Sequence, residues 1–102
     1  MRSAWLYRLR GYRVLAQNAW LGGYEIDLVL RRGQRLVFCE VKSKSGTAYG
    51  DPLEMVTVEK QRRLEQAAAT WLARNPEHAE CEVRFDVVGV TAGRVDHVRQ
   101  AF

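Results

Sequence analysis

Two β-type runs frame a glycine-containing turn in the stretch Tyr24-Glu25-Ile26-Asp27-Leu28-Val29-Leu30, Arg31-Arg32-Gly33-Gln34, Arg35-Leu36-Val37-Phe38-Cys39-Glu40-Val41-Lys42. Branched and aromatic residues fill both runs and Gly33 sits in the turn, so the stretch reads as an antiparallel hairpin. With residues 31–34 as an even-numbered loop, Leu30 faces Arg35, Leu28 faces Val37 and Ile26 faces Cys39. One side is then apolar nearly throughout, from Ile26 to Val41. A slip of one residue would mix the sides, which is the argument for this register. The other side carries Glu25, Asp27, Glu40 and Lys42, with Phe38 among them and Val29 and Leu36 nearer the turn.

In that register Glu25 stands directly opposite Glu40, with Asp27 diagonal to it. Like charges opposed on a sheet repel, and clustered carboxylates raise one another's pKa or need a cation between them. A hard divalent ion, Mg²⁺ or Mn²⁺, would meet that need with one or two carboxylates and several waters. Lys42, on the same face as Glu40, would orient a water or offset charge on a phosphoryl group. Those are the parts that metal-dependent phosphodiester hydrolysis requires. The same alternation also describes any half-exposed strand, with Lys42 simply neutralising a neighbouring acid.

Outward from the hairpin, Trp5, Leu6 and Leu9 fall at helical spacing in Ser3–Arg10, which ends at Gly11. Tyr12–Ala16 reads as a strand, and Ser43–Glu54 as a loop. From Thr57 the period changes to 3.6. Leu64, Ala67, Ala68, Trp71 and Leu72 form one apolar stripe, Thr57 caps the start and Asn75-Pro76 ends the helix. Cys81–Val90 is a strand, Thr91–Arg94 a turn and Val95–Arg99 a last short strand. The order α-β-β-β-α-β-β predicts an α/β (α+β) fold, a mixed sheet flanked by helices.

The 102 residues, 47% hydrophobic, suit a single domain over 1–102. No apolar run is long enough to span a membrane and no signal peptide opens the chain. Cys39 and Cys81 lie inside apolar runs at no metal-ligand spacing, which fits core thiols in a reducing, cytoplasmic setting. The net charge of +4 is unevenly placed: residues 1–44 hold nine basic and three acidic side chains. A basic half is compatible with a polyanion partner, and equally with a surface tuned for solubility.

Asp27 followed by Glu40-Val41-Lys42 is similar to the D…E-x-K signature of restriction-endonuclease-like nucleases. More closely, the chain resembles the bacterial YraN-type family of endonuclease-like proteins, related in fold to Holliday-junction resolvases. The likeness rests on Gly11-Tyr12-Arg13-Val14-Leu15, Gly23-Tyr24-Glu25-Ile26-Asp27-Leu28 and Leu36–Lys42. It continues through Gly50-Asp51-Pro52, Lys60-Gln61-Arg62-Arg63-Leu64 and Arg84-Phe85-Asp86-Val87-Val88.

The resemblance implies an αβββαβ core of the restriction-endonuclease-like kind. It implies Asp27 and Glu40 as metal ligands, the Val41 carbonyl as a third, Lys42 serving the nucleophile and Gln61 as a supporting polar residue. Resolvase-like relatives can complete the metal site with an acid on the first helix. None of the ten residues before Gly11 is acidic, which leaves Glu25 as the substitute, or a site that binds without cutting.

Arg31, Arg32, Lys44, Lys60, Gln61 and Arg63 are candidates for contact with nucleic acid, giving salt-dependent affinity without base readout; solvated turns and helix faces give the same pattern. Tyr49 would stack on a base or cover the core, while Asp51 and Glu54 organise their loop. His78 and His97 have no partner at ligand spacing and read as surface or edge residues with no assigned role. Trp5, Trp20 and Trp71 read as core or interface fillers, and Asp86 as an outward residue in a structural salt bridge. The functional expectation is a DNA-binding, Mg²⁺-dependent endonuclease, with a homodimer attractive for cutting two strands. The alternatives are a catalytically silent nucleic-acid-binding or assembly module and a protein–protein adaptor.

Overall fold

The computed structural model describes residues 2–43, 56–91 and 94–102. Helix α1 (Arg2–Leu9) leads into a meander of β1 (Arg13–Leu21), β2 (Tyr24–Arg32) and β3 (Arg35–Ser43). Helix α2 (Val58–Arg74) follows, then a single 3-10 turn (Pro76–His78), β4 (Glu82–Thr91) and β5 (Arg94–Val98). The five strands form one sheet in sequence order. Pairing is antiparallel throughout except that β3 and β4 run parallel, joined across α2. The predicted element order and the mixed α+β class therefore hold.

Local chemistry sets the boundaries. Helix α1 closes in a Schellman motif: Tyr12 N donates to Tyr7 O and Gly11 N to Arg8 O, both at 3.0 Å, with Gly11 at φ 84°. In α2 the Thr57 hydroxyl accepts from Lys60 N at 3.2 Å, and Asn75 closes the far end by donating from its side chain to Trp71 O at 2.8 Å. Strand β1 runs five residues beyond the expected stop at Ala16. The polar Gln17-Asn18 pair resembles a turn, but β1 is an edge strand, where such residues cost nothing and Asn18 takes φ 52°.

The hairpin register is shifted from the expected one. Arg32 pairs with Arg35, Leu30 with Val37 and Leu28 with Cys39, so the loop is only Gly33-Gln34. Two-residue loops match strand twist, and Gly33 supplies the positive φ, 59°, that such a loop needs. The shift is by two residues, so parity and faces survive. Opposition changes, however: Glu25 lies across from Trp20 on β1 rather than from Glu40.

Both faces of the sheet are covered. Under α2, Val29, Leu36 and Phe38 pack against Leu64, Ala67, Ala68 and Trp71, with Phe38 edge-on to Trp71 at 5.7 Å. On the other face Leu28, Leu30, Val37, Cys39 and Val88 pack against Ala4, Tyr7 and Tyr12. Burying each of the Val, Leu and Phe side chains contributes roughly 1.5–3 kcal/mol. Ile26, expected beside Leu28, instead joins Leu21 in the α2 cluster. The β2–β3 ladder ends at Leu28, and the two-stranded ribbon beyond it is free to twist further. Trp71 is core, whereas Trp5 and Trp20 are 62% and 67% exposed.

Asp86 is not outward but fully buried on the α1 side. Its Oδ1 accepts from Arg84 Nε at 2.8 Å and Gln100 N at 3.1 Å. Its Oδ2 takes the Tyr7 hydroxyl, Arg84 Nη2 and His97 Nε2, each at 2.8 Å. Burial alone would raise this carboxyl's pKa, but the hydrogen bonds from His97, Arg84 and Tyr7 overcome it and hold the group at about 2. The salt bridge is as expected, here with Arg84; His97, which reads as a surface or edge residue, sits on the edge strand β5 and is a member of the same network.

Candidate active site

Alternation places Asp27, Glu40 and Lys42 on the α2 face, beside Val29 and Phe38. They gather where the β2–β3 ladder stops after Leu28 and Cys39. There the Asp27 side chain takes over from backbone pairing: its Oδ2 accepts from Val41 N at 2.7 Å. N–H and C=O of one strand residue point toward the same neighbour, so the Val41 carbonyl faces the same gap. Glu40 is 6% exposed. Its Oε1 is 3.3 Å from Lys42 Nζ and its Oε2 accepts from the Tyr24 hydroxyl at 2.7 Å.

The acid pair is electrostatically unsettled. Burial pushes the Asp27 pKa up, the Val41 N–H pulls it down, and the charge and hydrogen bonding of Glu40 with the charge of Glu25 raise it again; the balance lies at about 7. Burial and the bond to Glu40 also push the Tyr24 phenol up, so it stays protonated and donates. A proton on Asp27 relieves the repulsion in the free protein, and a cation would do so without the proton.

The donor set is hard oxygen: two carboxylates and a carbonyl, which fits Mg²⁺ or Mn²⁺ and excludes the soft ligation of Zn²⁺ by thiolate. Among the described residues no three of His, Cys, Asp and Glu converge, so water or substrate would supply the remaining ligands. Glu25 is half-buried and acts on Asp27 only through its charge.

The other expected contacts divide. Arg63, with Tyr24, Gln66 and Thr70, lines a groove of about 380 Å³ beside the β1–β2 turn. Lys60 is exposed on α2, and the Gln61 side chain donates to Val56 O at 3.2 Å rather than reaching the acids. Arg31 is held by Gly33 O and His78, which stacks on Trp71. Arg32 belongs to a different pocket at the opposite end of β3. Lys44, Tyr49, Asp51 and Glu54 lie outside the described residues. Tyr24 escapes sequence reasoning: alternation assigns it to the face away from Glu40, and only the twist of the free hairpin brings its hydroxyl there.

The chain is similar to known proteins over most of its length. The UPF0102 protein of Frankia alni is 47% identical, covering 90% of this chain and 80% of its own length. That of Geobacter sulfurreducens is 40% identical over all of this chain and 82% of its own, and that of Bordetella avium 43% over 95% and 66%. The model of the uncharacterised protein family UPF0102 matches residues 1–90, and this chain belongs to that family.

Proposed function

We propose that this protein is a metal-dependent endonuclease with a restriction-endonuclease-like core, acting on DNA phosphodiesters. The convergence of Asp27, Glu40 and Lys42 at one strand end, beside a groove lined by Arg63, carries the reading. The run of α1, a three-stranded meander, the α2 crossover and parallel β4 supports it, being the αβββαβ order that the D…E-x-K resemblance implies. Asp27, Glu40 and the Val41 carbonyl would hold Mg²⁺ or Mn²⁺. Bound there, the ion would polarise the phosphate and lower the pKa of a water.

The chain's own groups do the rest. The Val41 N–H fixes Asp27, and Tyr24 fixes one oxygen of Glu40. Lys42 places an ammonium at the carboxylates, ready to orient the attacking water or offset charge building on the phosphoryl oxygens. Arg63 and Gln66 meet the flanking phosphates from α2. With one site per chain, symmetric cleavage of both strands calls for two chains.

Purified protein is expected to cleave branched or linear DNA in Mg²⁺ or Mn²⁺. Asp27→Ala and Glu40→Gln should each lose about 100-fold or more, since several kcal/mol of charge stabilisation go with the metal. Equal cleavage by the variants would sink the assignment. A second reading, a silent nucleic-acid-binding module, draws support from Glu40, both of whose oxygens are already engaged. It calls for salt-sensitive DNA binding that ignores Mg²⁺, and for no heat of metal binding that Asp27→Ala abolishes.

A further inference from the structure

The far end of β3, on the α1 face, holds a cavity of about 330 Å³ whose lining includes Arg10, Arg32, Arg35, Arg84 and Arg99. His97 and Tyr12 complete the lining, and among the described residues no carboxylate is part of it. Five guanidinium groups around one small cavity repel each other unless an anion enters. Asp86, beneath the pocket, offsets one of the five charges through its salt bridge with Arg84, and its two oxygens, already accepting five hydrogen bonds, have no capacity left for the other four.

That network instead fixes the pocket's shape. Asp86 takes Nε and one Nη2 hydrogen of Arg84, leaving three N–H groups of that guanidinium over. His97 presents Nε2 to Asp86, so its Nδ1 accepts from Arg10 Nη1 at 2.7 Å. Arg32 donates to Arg10 O at 2.9 Å and lies over the Tyr12 ring at 5.0 Å, with Arg84 5.9 Å from the same ring. The aromatic surface is covered by cations and offers no stacking platform for a base. The cavity therefore presents preformed N–H donors suited to tetrahedral oxyanions.

We infer that this pocket is a phosphate-binding site, separate from the acid cluster. Arg35 and Glu40 are five residues apart on one strand, roughly 17 Å, and point to opposite faces. The site therefore stands whether or not the nuclease reading does. Its ligand is a chain of phosphates, supplied either as a free polyphosphate or as a nucleic-acid backbone.

Calorimetry in EDTA at fixed ionic strength tests this, titrating inorganic triphosphate and, separately, a single-stranded DNA 12-mer into wild type, Arg35→Gln/Arg99→Gln and Asp27→Asn. Neither Arg35 nor Arg99 is fully buried, and melting curves check that the double variant folds. Saturable binding of triphosphate, weakened roughly tenfold or more in the double variant and kept in Asp27→Asn, establishes the site with a free ligand. The same pattern with the 12-mer alone establishes it with a strand. No saturable binding of either, or binding the double variant leaves unchanged, overturns the site. Loss in Asp27→Asn but not in the arginine variant would overturn it too, moving the phosphates to the acid cluster.

Discussion

At Asp27 a single side chain couples stability to chemistry. Its carboxyl titrates near pH 7 in the folded chain and near 3.8 when unfolded, so folding binds the proton more tightly. Its contribution is therefore greatest below pH 4 and is lost as pH rises through 7. Asn cannot ionise and can still accept from the Val41 N–H. Asp27→Asn should accordingly raise stability of the metal-free protein by roughly 1–3 kcal/mol at pH 8 and by little at pH 4. Urea denaturation at the two pH values reads this directly; equal effects at both would remove Asp27 as the strained group. Such a strained acid fits the cation site proposed above, which would be tuned for binding rather than for stability.

At the scale of elements, glycine and capping residues decide where structure stops. Gly11 has φ 84°, and a Cβ there would meet Arg32 Cδ at an ordinary 3.5 Å, so the cost of a side chain is backbone strain alone. Gly11→Ala is expected to lower stability by roughly 1–2 kcal/mol in chemical denaturation. The sequence announces α2 clearly, because Leu64, Ala67, Ala68 and Trp71 recur at 3.6 and Thr57 and Asn75 mark its ends. Strand parity alone likewise puts Asp27, Glu40 and Lys42 on one face. Opposition across the hairpin is not legible in the same way, since two- and four-residue loops preserve the same alternation and differ only in which acids meet. Nor is the extent of β1, whose polar residues are tolerated because among the described residues no strand pairs beyond that edge. Asp86 reads as outward because its partners Tyr7 and His97 are 79 and 11 residues away, a proximity no local pattern carries.

Across the whole molecule two acids, the buried Asp86 and the half-buried Asp27, pull stability in opposite directions along the pH axis. Asp86, held at about 2, contributes above its unfolded value and is lost as pH falls from near 4 toward 2. Asp27 acts in the reverse sense between about 4 and 7. Thermal melts of metal-free protein should therefore peak near pH 4–5, and Mg²⁺, if it displaces the Asp27 proton, should flatten the neutral side. A melting temperature that climbs steadily to pH 8 in EDTA would contradict that balance. The acid cluster is drawn from residues 24–42, all within one local meander, whereas the network round Asp86 joins residue 7 to residues 84–100. Closing such a long loop is entropically expensive and comes late in folding. Tyr7→Phe should consequently leave the refolding rate nearly unchanged while speeding unfolding several-fold. During synthesis, then, the strand end bearing Asp27, Glu40 and Lys42 can assemble while the arginine pocket must wait for Arg84, His97 and Arg99 to leave the ribosome.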